Sequence, residues 1–376
     1  MDFLSCFDFN RQTSLYIHIP FCKSRCSYCA FYSKAACSRE IIADYADKIC
    51  SEINEITSQT DKPFYTAFIG GGNPGCLSVE ELNRICEAVC KNGRPKEFTC
   101  EMNPESLTEG HFQLFDKYLT RLSMGIQSLD EKALYFLGRN CTLETELKGI
   151  NLARELRRKT SAQINFDIIC CLPNGHDSLE DVRKICSYRP DHISLYALGI
   201  EEGTALYNKG VKPMADDEEA LSLKRIWKEL EKQGYRHYEV SNFCLEGKES
   251  LHNSVYWDYE QYIGLGCSAA STGFRGGKVY RCEDSSQVGE FISKDKLSSY
   301  GITEVTEEEQ ILELIMLSLR HSKGLDLRRL KEDYGRKTAE IPEGFSVKGD
   351  FLVPSEDGLL IADAAALSVD SSLLSL

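Results

Sequence analysis

The stretch Tyr16–Phe31, YIHIPFCKSRCSYCAF, sets three cysteines directly behind a short β-rich run. Cys22, Cys26 and Cys29 form a C-x3-C-x2-C pattern on what reads as one loop. A structural zinc centre generally wants four protein ligands in two close pairs, and this loop offers three. A [4Fe-4S] cluster usually takes four thiolates, so one held by three leaves its fourth iron open to another ligand.

Working outward, SLYIHI (14–19) is the first of six β-rich runs, followed by YTAFIG (65–70), EFTCEM (97–102), RLSMGI (121–126), INFDIIC (164–170) and HISLYAL (192–198). The segments between them carry apolar residues at helical spacings. Three of those segments open with Ser followed by an acid three residues later, Ser78 with Glu81, Ser106 with Glu109 and Ser178 with Asp181, the pattern of a capped helix start. Strands alternating with helices predict an α/β fold with a parallel sheet. Periodicity alone fits an open doubly wound sheet or a barrel, complete or partial. In either case reactive groups gather at the C-terminal ends of strands, where the cysteines, the glycines Gly70–Gly72, Glu101, Gln127 and Asp167 all fall or come close.

After about residue 215 the pattern changes. DDEEALSLKRIWKELEKQGY reads as a long amphipathic helix, LHNSVYWDYEQYIGLGCSAASTGF as an irregular stretch, and the segment from about 303 as two helices followed by a hairpin built from GDFLV and GLLIAD. The expected organisation is a core over 1–215, an extension over 216–300 and a small C-terminal α+β unit over 301–376.

Composition restricts the function classes. The chain has 376 residues and a net charge of -14, and its one compact basic run is Arg154–Lys159. That balance argues against nucleic acid as a principal partner, since phosphate neutralisation calls for a basic face. No apolar run is long enough for a membrane span, and the first residues lack the pattern of a secretory signal. The expectation is a cytoplasmic protein, with peripheral membrane docking as the closest approach to a bilayer. Its 17 cysteines then read as metal ligands or apolar fillers rather than a disulfide framework.

With an aromatic before the third cysteine and a glycine run after the second strand, the chain resembles the radical S-adenosylmethionine (SAM) superfamily. YIHIPFC, FIGGG, NPES, RLSMGIQS, LGR and INFDIICCLP further resemble the branch of oxygen-independent coproporphyrinogen III dehydrogenases and HemW-type heme chaperones. The resemblance implies a partial (β/α)6 barrel. It implies that Cys22, Cys26 and Cys29 ligate a [4Fe-4S] cluster and that Tyr16, Tyr28, Gly70, Gly71, Gly72, Glu101, Gln127, Arg139 and Asp167 contact SAM. Arg139 is expected to grip the methionyl carboxylate in a two-pronged pair. Asp167 lies inside an apolar run and needs a partner.

Within the branch, three features point to the chaperones. Phe31 stands where the dehydrogenases carry a further cysteine, only 21 residues precede Cys22, and His252–Trp257 reads HNSVYW, matching an HNxxYW block. An imidazole can ligate heme iron and aromatic rings can stack on a porphyrin, so the block implies His252, Asn253, Tyr256 and Trp257 as heme contacts. The implied partners are heme, heme-accepting proteins including membrane-bound respiratory enzymes, and a donor such as flavodoxin or ferredoxin where SAM is cleaved. The alternative readings are a coproporphyrinogen III dehydrogenase and, less favoured by charge, an RNA-modifying radical SAM enzyme. Two positions depart from the branch: Cys171, commonly glycine, and Ala270, a histidine in many relatives.

Overall fold

The computed structural model describes residues 2–375. All six β-rich runs form strands: β1 (Ser14–Ile19), β2 (Thr66–Gly71), β3 (Glu97–Met102), β4 (Arg121–Gln127), β5 (Gln163–Cys170) and β6 (His192–Ala197). They lie side by side and parallel in chain order. An antiparallel pair, β7 (Arg236–Glu239) and β8 (Asn242–Cys244), extends the sheet beyond β6. On the other side of β1 comes the parallel β9 (Tyr262–Leu265), then antiparallel β10 (Ala270–Arg275), β11 (Lys278–Asp284) and β12 (Tyr300–Val305). The sheet ends on β12 at one side and β7 at the other, so the barrel is partial.

The helices that connect the parallel strands include α1 (Arg39–Thr57), α2 (Val79–Val89), α3 (Phe112–Lys117), α4 (Glu131–Phe136), α5 (Leu143–Lys159) and α6 (Ser178–Ser187). Their apolar faces pack with one set of strand side chains, among them Ile69, Phe98, Leu122, Ile164 and Ile193, in a single core. A fully buried Leu, Ile or Phe contributes roughly 1.5–3 kcal/mol, so this outer shell carries most of the stability. The alternate side chains point the other way. Phe68, Thr99, Glu101, Arg121, Ser123, Asn165, Asp167, His192, Ser194 and Tyr196 line an interior cavity of about 120 Å³. The two-residue strand period thus sorts apolar from polar groups, leaving a polar lumen.

Caps and the C-terminal region differ in part from expectation. Ser78 and Glu81 make the reciprocal capping box at α2. Ser106 instead accepts from Asn73 Nδ2 at 2.9 Å, and the next helical turn starts at Thr108, whose N–H donates to His111 Nδ1. Asp177 caps α6, placing a carboxylate at the helix N-terminus ahead of Ser178. The long helix is α7 (Asp216–Lys232). The stretch read as irregular is ordered: it holds α8 (Leu251–Trp257), β9 and β10. β12 carries the main sheet to Val305, past residue 300, before α9 (Glu307–Ser318) and α10 (Leu327–Tyr334). The hairpin there pairs Phe345–Lys348 with Phe351–Pro354, while GLLIAD falls in helical turns. Among the described residues no helix is long and apolar enough to cross a membrane.

The N-terminal end of the lumen is closed by α8, held by one buried ion pair. Arg121 and Glu97 meet at 3.0 Å with side chains 3% and 6% exposed. Arg121 Nη2 also donates to the carbonyls of Lys248 and Glu249, while Glu97 Oε1 accepts from Ser250 Oγ and the backbone N–H of His252. Removing one partner of such a pair leaves a buried charge uncompensated. Arg121→Met is therefore expected to cost about 3–5 kcal/mol in urea unfolding of the cluster-free protein. A loss below about 1 kcal/mol, the scale of a surface pair, would contradict the anchoring role.

Candidate functional site at the barrel mouth

The C-terminal ends of β1 to β6 form the mouth. The chain leaves β1 into the cysteine loop, and a short parallel pairing of Phe21–Cys22 with Lys34–Ala35 closes the loop's base. Backbone bonds pin its middle from two sides: Ser27 N–H donates to the Leu137 carbonyl at 2.9 Å, and Leu206 N–H donates to the Ser27 carbonyl at 2.9 Å. Gly138 has φ +67°, and a Cβ there would lie 2.9 Å from the Ser27 backbone nitrogen. The LGR segment is thus shaped to receive the loop.

Cys22, Cys26 and Cys29 are all half-buried free thiols. Burial, then the neighbouring Cys76, Cys29 and Cys26, pushes the Cys22 thiol up to about 12, and burial raises Cys29 as well. Three soft thiols on one loop are a donor set suited to a cationic metal centre. Among the described residues no three His, Cys, Asp or Glu side chains converge on a single-ion site. Cys76, in the turn Pro74–Cys76 after the glycines, lies beside this loop and was not singled out by the sequence pattern.

The glycines are required by the protein's own groups. A Cβ on Gly70 would lie 2.6 Å from Glu101 Oε2, one on Gly72 would lie 2.7 Å from the Phe21 carbonyl, and one on Gly71, at φ +105°, would overlap the His18 ring. Gly72 and Asn73 N–H groups donate to the carbonyls of Ile19 and Phe21. The glycine strand is therefore drawn against the root of the cysteine loop, with no side chain between.

Glu101 and Asp167 line the same cavity. Glu101 accepts from the Gly71 N–H at 3.1 Å; burial, then Asp167, pushes its carboxyl up to about 8. Asp167 finds its partners in hydroxyl and amide donors rather than a cation: Asn165 Nδ2 at 2.7 Å and Ser123 Oγ at 3.3 Å. Burial raises its carboxyl too. Tyr16 donates or accepts at His18 Nδ1 over 2.9 Å, with the other His18 nitrogen on the Tyr32 carbonyl. Tyr28 packs against a small apolar cluster that includes Leu137, Leu172 and Leu206. Gln127 ends β4 at φ +66°, a left-handed backbone in a non-glycine residue, beside a register shift.

Arg139 is bonded within the chain. Its Nη2 donates to the Gly125 carbonyl at 2.7 Å and its Nη1 to Asn103 Oδ1 at 3.4 Å, while Glu146 lies 3.5 Å away. Both Nη atoms are engaged, and Nε is buried without a partner. Arg139 Nη1 also lies 3.9 Å from Cys26 Sγ, placing positive charge beside the thiol loop.

The HNxxYW block lies at the opposite end, in α8. His252 is 1% exposed, and its Nδ1 and Nε2 meet Thr66 Oγ1 at 2.7 Å and Tyr256 Oη at 2.9 Å. Its ring stacks on Phe68, and burial lowers its pKa to about 3. In this arrangement the His252 imidazole is neutral and both its nitrogens are engaged, by Thr66 and Tyr256. Asn253 faces the lumen cavity, Tyr256 is tied to His252, and Trp257 Nε1 is buried. Cys171 has φ +58°, the conformation glycine adopts without strain, which accounts physically for glycine being common there. Ala270 begins β10, paired with Glu283.

A partial barrel with three thiols and a glycine strand at its mouth defines a radical SAM protein, and residues 16–188 match the radical SAM superfamily model. The chain is 33% identical over 338 residues to the heme chaperone HemW of Bacillus subtilis, covering 86% of this chain and 87% of the relative. It is 30% identical to the Escherichia coli heme chaperone HemW, covering 78% and 79%. The chain belongs to this HemW family of the radical SAM superfamily. Its fold matches that of the E. coli coproporphyrinogen III oxidase HemN, a radical SAM enzyme, with a TM-score of 0.78 at 18% identity, over 98% of this chain and 93% of that one. Membership of the superfamily implies a [4Fe-4S] cluster and SAM.

The raised Glu101 carboxyl has a measurable consequence. Its folded value of about 8 exceeds the ordinary 4.5, so the folded state binds the proton more tightly and this contribution to stability is lost as pH rises from about 4.5 through about 8. Glu146 and Glu239, each pushed up to about 7 by burial, add to the same slope. The Tm of the cluster-free protein is expected to fall over that range, with Glu101→Gln removing part of the fall. An unchanged slope in the variant would contradict the assignment.

Proposed function

We propose that this chain is a heme chaperone that carries a [4Fe-4S] cluster on Cys22, Cys26 and Cys29, binds SAM at the mouth, and passes heme to acceptor proteins. The observation that carries the reading is the meeting of three free thiols, the glycine strand and two raised carboxyls at one mouth, in a chain whose relatives are heme chaperones. When bound, the cluster would supply an open iron for SAM's amino and carboxylate groups and an electron for its sulfonium. The chain's own groups do the rest. Gly70–Gly72 bring backbone against the ligand, Glu101 accepts from ribose hydroxyls, and Tyr28 packs beside the adenine. Tyr16, Gln127 and Asp167 line the approach. Arg139 holds the Gly125 carbonyl and Asn103 in place and compensates charge at Cys26, which makes it a positioning residue.

Membrane-bound respiratory enzymes are suitable acceptors, and flavodoxin or ferredoxin suits the electron-donor role where SAM is cleaved. The test is an anaerobic heme titration of the cluster-loaded chain, followed by mixing with an apo-acceptor. Saturable one-to-one binding and transfer of the Soret signal to the acceptor are expected. Efficient decarboxylation of coproporphyrinogen III without heme binding would replace this reading with that of the dehydrogenase.

A further inference from the structure

Away from the mouth, the segments that lead into β1, β2 and β3 meet at the N-terminal end of the barrel. Tyr65 N–H donates to the Thr13 carbonyl at 2.9 Å and Lys96 N–H to the Tyr65 carbonyl at 2.9 Å, so the three segments are bonded to one another in series. Lys62 Nζ adds a bond from the second segment back to the first, at the Asn10 carbonyl 3.0 Å away. Together they line one cavity of about 370 Å³, whose wall includes Phe9, Lys62, Pro63, Tyr65, Arg94 and Lys96. Pockets for small molecules run to roughly 300–1,000 Å³, so the space is of ligand size.

The cavity is basic in an acidic protein. The chain has 58 acidic residues against 44 basic ones, yet Arg11, Lys62, Arg94 and Lys96 line this cavity and no Asp or Glu does. Arg11 is committed to Glu260 at 3.1 Å. Among the described residues the other three form no ion pair: Asp61 adjoins Lys62 in the chain without pairing with it, and Asp8 pairs with Arg275 at 3.6 Å. Arg94 donates through Nε and Nη2 to the carbonyls of Tyr118 and Leu119 at 2.8 and 3.0 Å, which fixes its guanidinium at the wall. Lys96 Nζ lies 4.9 Å from the centre of the Tyr65 ring. Three cations gathered without a counter-charge repel one another, and an anion of several charges relieves that. One carboxylate would leave most of the charge over, whereas a diphosphate brings about three negative charges and many acceptor oxygens. Phe9 and Pro63 add an apolar wall on which a flat ring can rest.

We infer that this cavity binds a nucleoside diphosphate, with the diphosphate on Lys62, Arg94 and Lys96 and the base against Phe9 and Pro63. The site shares no residue with the mouth, so it stands apart from the cluster, from SAM and from the chaperone reading. Its concave shape suits a small molecule better than the face of an acidic protein.

The test is an anaerobic calorimetric titration of the cluster-loaded full chain with ADP, with pyrophosphate and with a short glutamate peptide, each with and without saturating SAM. Saturable one-to-one binding of ADP, tighter than that of pyrophosphate and indifferent to SAM, is expected. Lys62→Ala/Lys96→Ala is expected to weaken ADP and pyrophosphate by about tenfold or more, with iron content, SAM binding and Tm retained. Arg94 is left in place because it holds the Tyr118 and Leu119 carbonyls, and Lys62→Ala alone is read if the double variant melts early. Phe9→Ala is expected to weaken ADP and spare pyrophosphate. No saturable ADP binding, or ADP affinity that the lysine variants leave unchanged, would overturn the site. ADP that binds no more tightly than pyrophosphate would overturn the nucleoside, and ADP displaced by SAM would put the binding at the mouth instead. A glutamate peptide that outbinds ADP and is lost in the lysine variants would make the cavity a dock for an acidic protein and overturn the inference.

Discussion

The ion pair between Glu97 and Arg121 sets what the barrel interior can be. One arginine gathers the Lys248 and Glu249 carbonyls, and the facing carboxylate takes the Ser250 hydroxyl and the His252 N–H. These bonds bring α8 against the N-terminal end of the lumen. Such a pair costs desolvation that hydrogen bonds must offset, and here the remaining carboxylate oxygen and Arg121 Nη2 are used in closing the floor. With that end filled, the polar groups above it face a small cavity rather than bulk water.

From this floor the chemistry follows by strand period. Every second residue of β2 to β6 faces inward, and those residues are hydroxyls, amides, carboxyls and aromatic rings in place of the apolar layers that usually fill a small barrel. Two carboxyls then share a low-dielectric space, where burial raises both and Asp167 raises Glu101 further, while the cysteine loop above is fastened by backbone bonds to Leu137 and Leu206. Main-chain groups define the mouth. Glycines at 70, 71, 72 and 138 are the positions where that closeness leaves no room for a side chain.

Much of this was legible in the sequence. The six parallel strands fall within a residue or so of their β-rich runs, because alternating apolar residues and helix periodicity both point to one architecture. The order of strands beyond β1 was not legible, since pairing of β9 with β1 joins residues far apart in the chain. HNSVYW reads as a ligand block only through its resemblance to HNxxYW, and nothing in the sequence shows that His252 lies buried between Thr66 and Tyr256. Arg139 was recognisable as a charge near the site, but its turn toward Gly125 and Asn103 depends on tertiary placement. Asp177 won the α6 cap over Ser178 by a single residue. Tyr196, Asn165 and Cys76 carried no motif; the inward alternation of β5 and β6 is the signal that finds the first two.

On the proposed function, the mouth holds a cluster on three thiols with one iron free for SAM. The most direct measurement is the EPR spectrum of the reconstituted, dithionite-reduced chain with and without SAM, alongside its iron content. The account predicts about four irons per chain and a spectrum that SAM alters, because SAM reaches the cluster itself. A cluster whose spectrum is indifferent to saturating SAM, with SAM binding verified independently, would contradict it.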